Sequence, residues 1–177
     1  MKMHDNKGFT LIELLIVVAI IGIIAAIAVP GLLRARMAGN EASAIGSMRA
    51  VNSAQLTYST SCAQGYARSL AELASPPTAG GQAFISPDLS TSPVTKSGYT
   101  ITYAGGTDVA GAAASCTTAA GIPQDAYLLT ADPVSAGSSG TRHFGTNQTQ
   151  TIFQHTAAIT AISTSGVPTP GAAVAIK

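Results

Sequence analysis

Residues 9–33 read FTLIELLIVVAIIGIIAAIAVPGLL, a run of 25 residues in which Glu13 is the only ionisable side chain. At about 1.5 Å per residue, a helix of this length crosses the hydrocarbon core of a bilayer, which is about 30 Å thick. Lys2 and Lys7 precede the run. Because basic residues favour the cytoplasmic side, residues 1–8 are predicted to lie in the cytoplasm and the remainder outside it, as in a single-pass membrane protein.

Two ordinary explanations of this run are open. The first is a secretory signal peptide, cleaved after the small residues Ala-Ile-Ala at 26–28. The second is a plain membrane anchor. Neither explains Glu13, because a carboxylate in an apolar segment is costly and brings no benefit to a disposable peptide. An acid at such a position indicates a functional role.

A more specific pattern surrounds the acid. Residues 7–14 read KGFTLIEL, and LIVVAIIGIIAAIAVP follows. This segment resembles the prepilin signature of type IV pilins and of the pseudopilins of type II secretion, and the resemblance covers about 30 residues of the chain. It implies cleavage between Gly8 and Phe9 by a prepilin peptidase and N-methylation of Phe9. It also implies assembly by an inner-membrane platform into a helical surface filament of identical subunits.

The resemblance gives Glu13 a role. After cleavage the amine of Phe9 is a cation in a setting of low dielectric constant, and the Glu13 carboxylate of a neighbouring subunit neutralises it. Each charge is costly alone and tolerable when paired. The same apolar helix would then be a membrane anchor before assembly and the filament core afterwards.

Gly22 and Pro30 interrupt the helical signal. Proline lacks an N–H and clashes with the preceding turn, so a kink or a locally melted stretch is predicted between the two residues. The resemblance favours melting in a filament, and a simple proline kink is the alternative.

Beyond Pro30 the helix is predicted to continue to about Thr60. Apolar residues at helical spacing predict a buried face of Ala38, Ala42, Ile45, Met48 and Leu56, with Asn52 as a polar exception. The charged residues off this face are Arg34, Arg36, Glu41 and Arg49. They are expected to be solvated or, less commonly, to form ion pairs between subunits.

The remaining residues predict an α+β head with a small antiparallel sheet. Ser69 and Glu72 have the spacing of a capping box, so a short helix should start there and end before Pro76. The predicted strands are residues 99–103, 126–131 and 149–154, with a turn at 105–106. The small-residue segments 111–121, 135–140 and 166–177 are expected to be solvent-facing loops or tails. The predicted division is a leader (1–8), a hydrophobic helix (9–33) and a head (34–177).

Cys62 and Cys116 are the only cysteines. In an exported chain an even count predicts a disulfide, and two buried thiols are the alternative. The pair has no zinc-binding spacing. It also differs from the common pilin arrangement, in which a disulfide closes a C-terminal loop.

Other functions find little support in the sequence. Without residues 1–8 the chain has seven basic and seven acidic side chains, which does not favour binding to nucleic acid. The sequence lacks GxSxG, P-loop, GxGxxG and HExxH motifs, so we expect no enzyme activity and no cofactor. His143 is predicted to make one hydrogen bond in a strand or loop. A triad of histidine, aspartate and serine would rest only on the availability of those residues.

Two further features bear on the type of filament. No Asp or Glu follows Asp132, whereas major pseudopilins typically carry a calcium site of acidic residues in their C-terminal loop. We therefore favour a pilus over a secretion pseudopilus, with no metal site. Residues 147–149 match an N-glycosylation sequon, which is a weak signal, and we expect an unmodified Asn147.

Overall fold

The computed structural model describes residues 8–119 and 121–176 of the 177-residue chain. Most of the predicted leader, with Lys2 and Lys7, therefore lies outside the described residues. The chain divides into two compact units, Met1–Arg36 and Met37–Lys177.

One helix dominates the N-terminal part of the sequence. Helix α1 runs from Leu11 to Ser61, so the predicted end near Thr60 is confirmed. The backbone is α-helical throughout, with Pro30 in its interior. The melting between Gly22 and Pro30 that the resemblance implies is thus not seen in the isolated chain, and it stays a prediction for the filament.

The second unit contains the sheet, and the predicted α+β architecture is confirmed. Its strands are β1 (Val94–Lys96), β2 (Tyr99–Gly105), β3 (Tyr127–Pro133), β4 (His143–Asn147), β5 (Phe153–His155), β6 (Ala161–Ile162), β7 (Pro168–Thr169) and β8 (Val174–Ala175). Six of them form a sheet in the order β1-β2-β3-β4-β5-β8, and β6 pairs with β7. All of these pairings are antiparallel. A short helix, α2 (Leu70–Leu73), and a 3-10 helix, Pro87–Leu89, complete the unit.

The core lies between the C-terminal part of α1 and one face of the sheet. From α1 it takes Met48, Val51 and Tyr58, all fully buried. Alternate residues of the strands supply the other side, with Tyr99, Ile101, Tyr103, Leu129, Ala131 and Phe144 buried. This alternation is the period-two pattern of a strand with one covered face.

The predicted buried face of α1 is partly wrong. Met48 is buried and Ile45 is half-buried, but Ala38, Ala42 and Leu56 are exposed. The residues of α1 that are buried are Glu41, Ala44, Ser47, Met48, Val51, Asn52, Ala54, Gln55 and Tyr58. They follow the same three-and-four spacing, but four of them are polar or charged side chains other than tyrosine. The predicted stripe therefore shares Met48 and Asn52 with the buried face but is displaced around the helix axis from it.

The short helix is confirmed with a modified cap. Ser69 Oγ accepts a hydrogen bond from the Glu72 N–H at 3.2 Å, as in a capping box. The Glu72 carboxylate bonds the N–H of Arg68 at 2.9 Å instead of that of Ser69. Its other oxygen accepts from the hydroxyls of Tyr58 and Ser115, so Glu72 ties α1, α2 and a distant loop together.

Two of the three predicted strands are confirmed as β2 and β3, and the third is displaced. Residues 149–152 are not a strand, because the Asn147 side chain accepts hydrogen bonds from the N–H and hydroxyl of Thr149 and turns the chain there. The strand starts only at Phe153. The tail 166–177 was expected to be irregular, but it supplies β7 and the edge strand β8.

Candidate functional site

The N-terminal end of α1 carries the residues of the predicted processing site. Residues 8–10 precede the helix without regular secondary structure. Phe9 is 92% exposed, and a Cβ added at Gly8 would meet nothing within 4 Å. Within the described residues, neither side of this junction is covered by the rest of the chain.

Thr10 and Glu13 are hydrogen-bonded to each other at the first turn of α1. The Glu13 Oε2 atom accepts hydrogen bonds from the Thr10 N–H at 2.9 Å and from its hydroxyl at 2.8 Å, and Thr10 Oγ1 accepts from the Glu13 N–H at 3.3 Å. This is a reciprocal capping box, which satisfies main-chain donors that a helix start leaves free. Within the described part of the chain, Oε1 of Glu13 has no hydrogen-bond donor.

The apolar helix surface that follows is exposed on all sides. An 18-residue window has a mean hydropathy of 3.1, and none of that window is buried. The helix is thus long and apolar enough to cross a membrane by length and composition. The large apolar side chains here are 40–92% exposed, from Phe9 to Leu33. An exposed apolar surface of this extent marks a site for lipid or for other chains.

A half-buried ion pair joins the part of α1 that lies in the head to the segment before β4. Arg142 donates to Glu41 Oε2 from Nε at 2.9 Å and from an Nη atom at 2.5 Å. Thr141 donates to Oε1 from its N–H at 3.0 Å. Burial alone would raise the pKa of Glu41, but the hydrogen bonds from Arg142 and Thr141 outweigh it and lower the pKa. The prediction that Glu41 is solvated or paired with another subunit is therefore wrong for this chain.

Two amide side chains of α1, those of Asn52 and Gln55, are also buried. Asn52 donates to Thr146 Oγ1 at 3.0 Å and accepts from the Tyr127 hydroxyl at 3.0 Å. Gln55 accepts from the Ala67 N–H at 2.9 Å and donates to the Tyr103 hydroxyl at 2.7 Å. Sequence reasoning placed Asn52 on the buried face as a polar exception and did not single out Gln55. The available signal was their position three, four and seven residues from other members of the buried face.

The predicted disulfide is present. Cys62 follows the last residue of α1 and is bonded to Cys116, with a Cα–Cα distance of 5.0 Å across 54 residues of sequence. Loop 111–121 was expected to face solvent, but its Ser115 and Thr117 are buried. Ser115 donates to Glu72 at 2.5 Å, so a hydrogen bond and a covalent bond hold neighbouring residues of this loop.

A triad could be drawn only from His143, His155, Asp125 and Asp132, and among these four the one hydrogen-bonded pair is His143 with Asp132. His143 Nδ1 lies 2.6 Å from Asp132 Oδ1, which confirms the single hydrogen bond predicted for His143. Asp125 accepts from Thr107 instead. His155 is the cross-strand partner of His143, but its Nδ1 accepts from the Ala157 N–H at 2.9 Å. No group of three potential metal ligands occurs in the ranges 8–119 and 121–176.

The sequon asparagine is unavailable in the folded chain. Asn147 is fully buried, and its Nδ2 donates to the Ser163 carbonyl at 2.9 Å. Glycosylation needs that nitrogen on the surface. The structure therefore supports an unmodified Asn147.

Comparisons with known proteins agree with the N-terminal pattern. The family model described as the prokaryotic N-terminal methylation motif matches residues 3–29. The chain is 47% identical over 53 residues to the type IV major pilin protein PilA of Myxococcus xanthus, which is 30% of this chain and 24% of that protein. It is 62% identical over 39 residues to the type IV wide pilus major component PilA4 of Thermus thermophilus, which is 22% of this chain and 30% of that protein.

A third relative is similar over a shorter stretch. The fimbrial protein EcpB of Eikenella corrodens is 75% identical over 28 residues, 16% of this chain and 18% of that protein. The chain thus spans less than a third of the length of each of these curated relatives. No solved structure matches the chain. The matches confirm the resemblance to type IV pilins and are consistent with that family.

Proposed function

We propose that this chain is a structural subunit of a type IV pilus. It is anchored in the inner membrane by residues 9–33 after export, with residues 1–8 in the cytoplasm, and is then polymerised with identical subunits into an extracellular filament. The observation that carries this proposal is the apolar surface of residues 9–33, which is exposed throughout and begins at the Gly8-Phe9 junction.

The geometry at Glu13 supports a role in joining subunits. Thr10 uses only Oε2 of the carboxylate, so Oε1 is free to accept a hydrogen bond from another chain. Cleavage after Gly8 by a prepilin peptidase would create an amine at Phe9, and a charged amine next to a carboxylate is the arrangement that makes both tolerable away from water. Helix packing in the filament then replaces lipid contacts.

A pilus is favoured over a secretion pseudopilus by the composition of the C-terminal part. No acidic residue follows Asp132, so that region offers no carboxylate for a calcium site. The names of the relatives point the same way, since all three are pilus or fimbrial proteins. We infer a structural rather than a catalytic role from the same names.

Substitution at Glu13 tests the proposal. Glu13→Ala should leave membrane insertion intact and abolish most filaments, while Glu13→Asp should give an intermediate yield. The measurement is membrane fractionation together with electron microscopy of sheared surface material. Abundant normal filaments from Glu13→Ala would refute the pairing, and secretion of a soluble head would refute the anchor.

Thr10→Ala is the matched control. It removes the two hydrogen bonds of the Thr10 hydroxyl but keeps the bond from the Thr10 N–H and the Glu13 carboxylate. If Glu13 acts through a neighbouring amine, Thr10→Ala should assemble far better than Glu13→Ala. Equal defects in the two variants would assign the effect to the helix cap instead.

The native chain distinguishes a pilus from a pseudopilus. Long filaments on the cell surface would support a pilus. Short assemblies confined to the periplasm would support a pseudopilus.

A further inference from the structure

A pair of cations lies at the end of the exposed apolar surface. Arg34 follows Leu33 directly, Arg36 comes two residues later, and both side chains are exposed. In the described part of the chain neither takes part in a hydrogen bond or ion pair; the pairs found are Lys96–Asp88, Arg142–Glu41 and His143–Asp132. An arginine has five N–H donors and stays charged at any physiological pH, so these two require a partner outside the chain or water.

No acid of the same segment neutralises them. Between residues 8 and 36 the one acidic side chain is Glu13. The next acid along the chain, Glu41, is buried and holds Arg142. The two arginines therefore carry the only positive side-chain charges between residues 8 and 36, at the end of this segment opposite to Glu13.

The spacing of the charges matches a bilayer. Glu13 and Arg34 are 21 residues apart in one continuous helix, which is about 32 Å at 1.5 Å per residue. The hydrocarbon core is about 30 Å thick, so a helix with Glu13 at one boundary places Arg34 at the level of the opposite lipid phosphates. Arg34 and Arg36 are two positions apart, about 200° around the helix axis, and so face different lipids.

We propose that Arg34 and Arg36 each bind the phosphate of an anionic phospholipid in the outer leaflet of the membrane that holds the unassembled subunit. The planar guanidinium donates two parallel hydrogen bonds to phosphate oxygens, and the net charge of the lipid adds attraction over a zwitterionic headgroup. The contact fixes the depth of the anchored helix and has to be broken when the subunit leaves the bilayer. This inference rests on the proposed membrane-anchored state.

Spin-label electron paramagnetic resonance tests the proposal. The full chain is reconstituted in phosphatidylcholine bilayers that contain trace spin-labelled phosphatidylglycerol or, in parallel, spin-labelled phosphatidylcholine. The native chain should bind labelled phosphatidylglycerol more strongly than labelled phosphatidylcholine. The expected factor is about fivefold for each arginine, which is equivalent to about 1 kcal/mol. Added salt should reduce the preference.

Three variants define the source of the preference. Arg34→Gln/Arg36→Gln should lose the part of the preference that the two arginines provide and keep only what Lys2 and Lys7 contribute. The double lysine variant should keep more of the preference because it retains charge without the planar fork. Arg49→Gln is the matched control, an exposed arginine of the same helix outside the apolar run, and it should behave like the native chain. A native chain with no preference, or a double glutamine variant that keeps it in full, would overturn the proposal.

The outcomes separate this inference from the proposed function. A chain that is extracted from membranes by carbonate contradicts the anchor itself. A chain that resists extraction but shows no lipid preference contradicts only the arginine contacts. Loss of filaments in the double glutamine variant with an unchanged lipid preference would assign the arginines to a carboxylate of a second copy, and would also overturn the proposal.

Discussion

Removing the carboxylate of Glu41 should detach the start of the head helix from the sheet. Glu41→Ala deletes an acceptor for the Thr141 N–H and for two nitrogens of Arg142. The Arg142 side chain also lies 5.6 Å from the centre of the Phe144 ring, so it cannot turn to water without losing that contact. The substitution therefore leaves the Thr141 N–H without its acceptor and Arg142 without its carboxylate, with the Gln154 side chain as its remaining side-chain acceptor.

The expected loss in the free energy of unfolding lies between the values for surface ion pairs and for buried ion pairs. The Glu41 side chain is 8% exposed, whereas that of Arg142 is 42% exposed. Breaking a fully buried pair costs about 3–5 kcal/mol, and an exposed pair contributes about 0–1 kcal/mol. We expect Glu41→Ala to lower the free energy of unfolding of the head by about 2–3 kcal/mol, which corresponds to a Tm lower by about 5–10 °C.

Unfolding of the full chain in detergent micelles, followed by near-ultraviolet circular dichroism, measures this loss of stability. The chain has five tyrosines and no tryptophan, and all the tyrosines lie in the head, so the signal reports the head alone. Asp88→Ala is the control, because it breaks an equally short but exposed pair with Lys96. It should cost less than about 1 kcal/mol. If Glu41→Ala and Asp88→Ala lowered the free energy of unfolding equally, the argument from burial would be refuted.

The pH dependence gives a second test of the same pair. The pKa of Glu41 is lowered from its ordinary value of 4.5. A lowered pKa means that the carboxylate stabilises the folded state above pH 4.5, and that this contribution is lost as the pH falls through the lowered pKa. The difference in stability between the native chain and Glu41→Ala should therefore shrink in acid. A difference that stays constant down to pH 2 would contradict the assigned hydrogen bonds.

Three further outcomes are expected. Intact-mass measurement and N-terminal sequencing of filaments should show a methylated chain that starts at Phe9; a start at Val29 would indicate an ordinary signal peptide. Alkylation of the denatured, unreduced chain should label neither Cys62 nor Cys116, and reduction should lower the free energy of unfolding by about 4 kcal/mol from loop entropy; labelling of both thiols would contradict the disulfide. Gln55→Leu should lower the urea midpoint, because the buried Ala67 N–H loses its acceptor at about 1–3 kcal/mol while the Tyr103 hydroxyl keeps the Ala67 carbonyl, and an unchanged midpoint would refute this role.

Strong local patterns in the sequence predicted much of the fold. The apolar run of residues 9–33 has no competing interpretation as secondary structure, and the alternation of residues 99–103 is that of a strand with one covered face. The disulfide followed from the cysteine count and export alone. The fold class followed from one long helix and separated strands, although only two of the strands were placed correctly.

The inner face of α1 could not be predicted from hydrophobicity. Glu41 and Gln55 are polar, so the usual pattern assigns them to solvent, and Asn52 entered the predicted face only as a polar exception among apolar residues. Their burial depends on partners far along the chain, such as Arg142, which is 101 residues from Glu41. A single sequence carries no sign of such a pairing.

The C-terminal strands were missed for a different physical reason. β8 has two residues, and its segment is rich in small side chains without alternation. Its strand geometry comes from pairing with Phe153 and Gln154 of β5, that is, from tertiary contact rather than from local propensity. In the same way, the side chain of Asn147 turned the chain where β-propensity predicted a strand.

The polar inner face of α1 has a mechanical consequence for a filament under tension. Force applied along the helix would load the hydrogen bonds at Glu41, Asn52, Gln55 and Tyr58 at once, because each crosses from the helix to another part of the head. Bonds loaded together in shear share the force, whereas contacts peeled from one end fail in turn. The disulfide at Cys62 lies beyond the last of them. A head pulled along its helix would thus yield only when several polar contacts break together, with a covalent bond to retain the chain after they do.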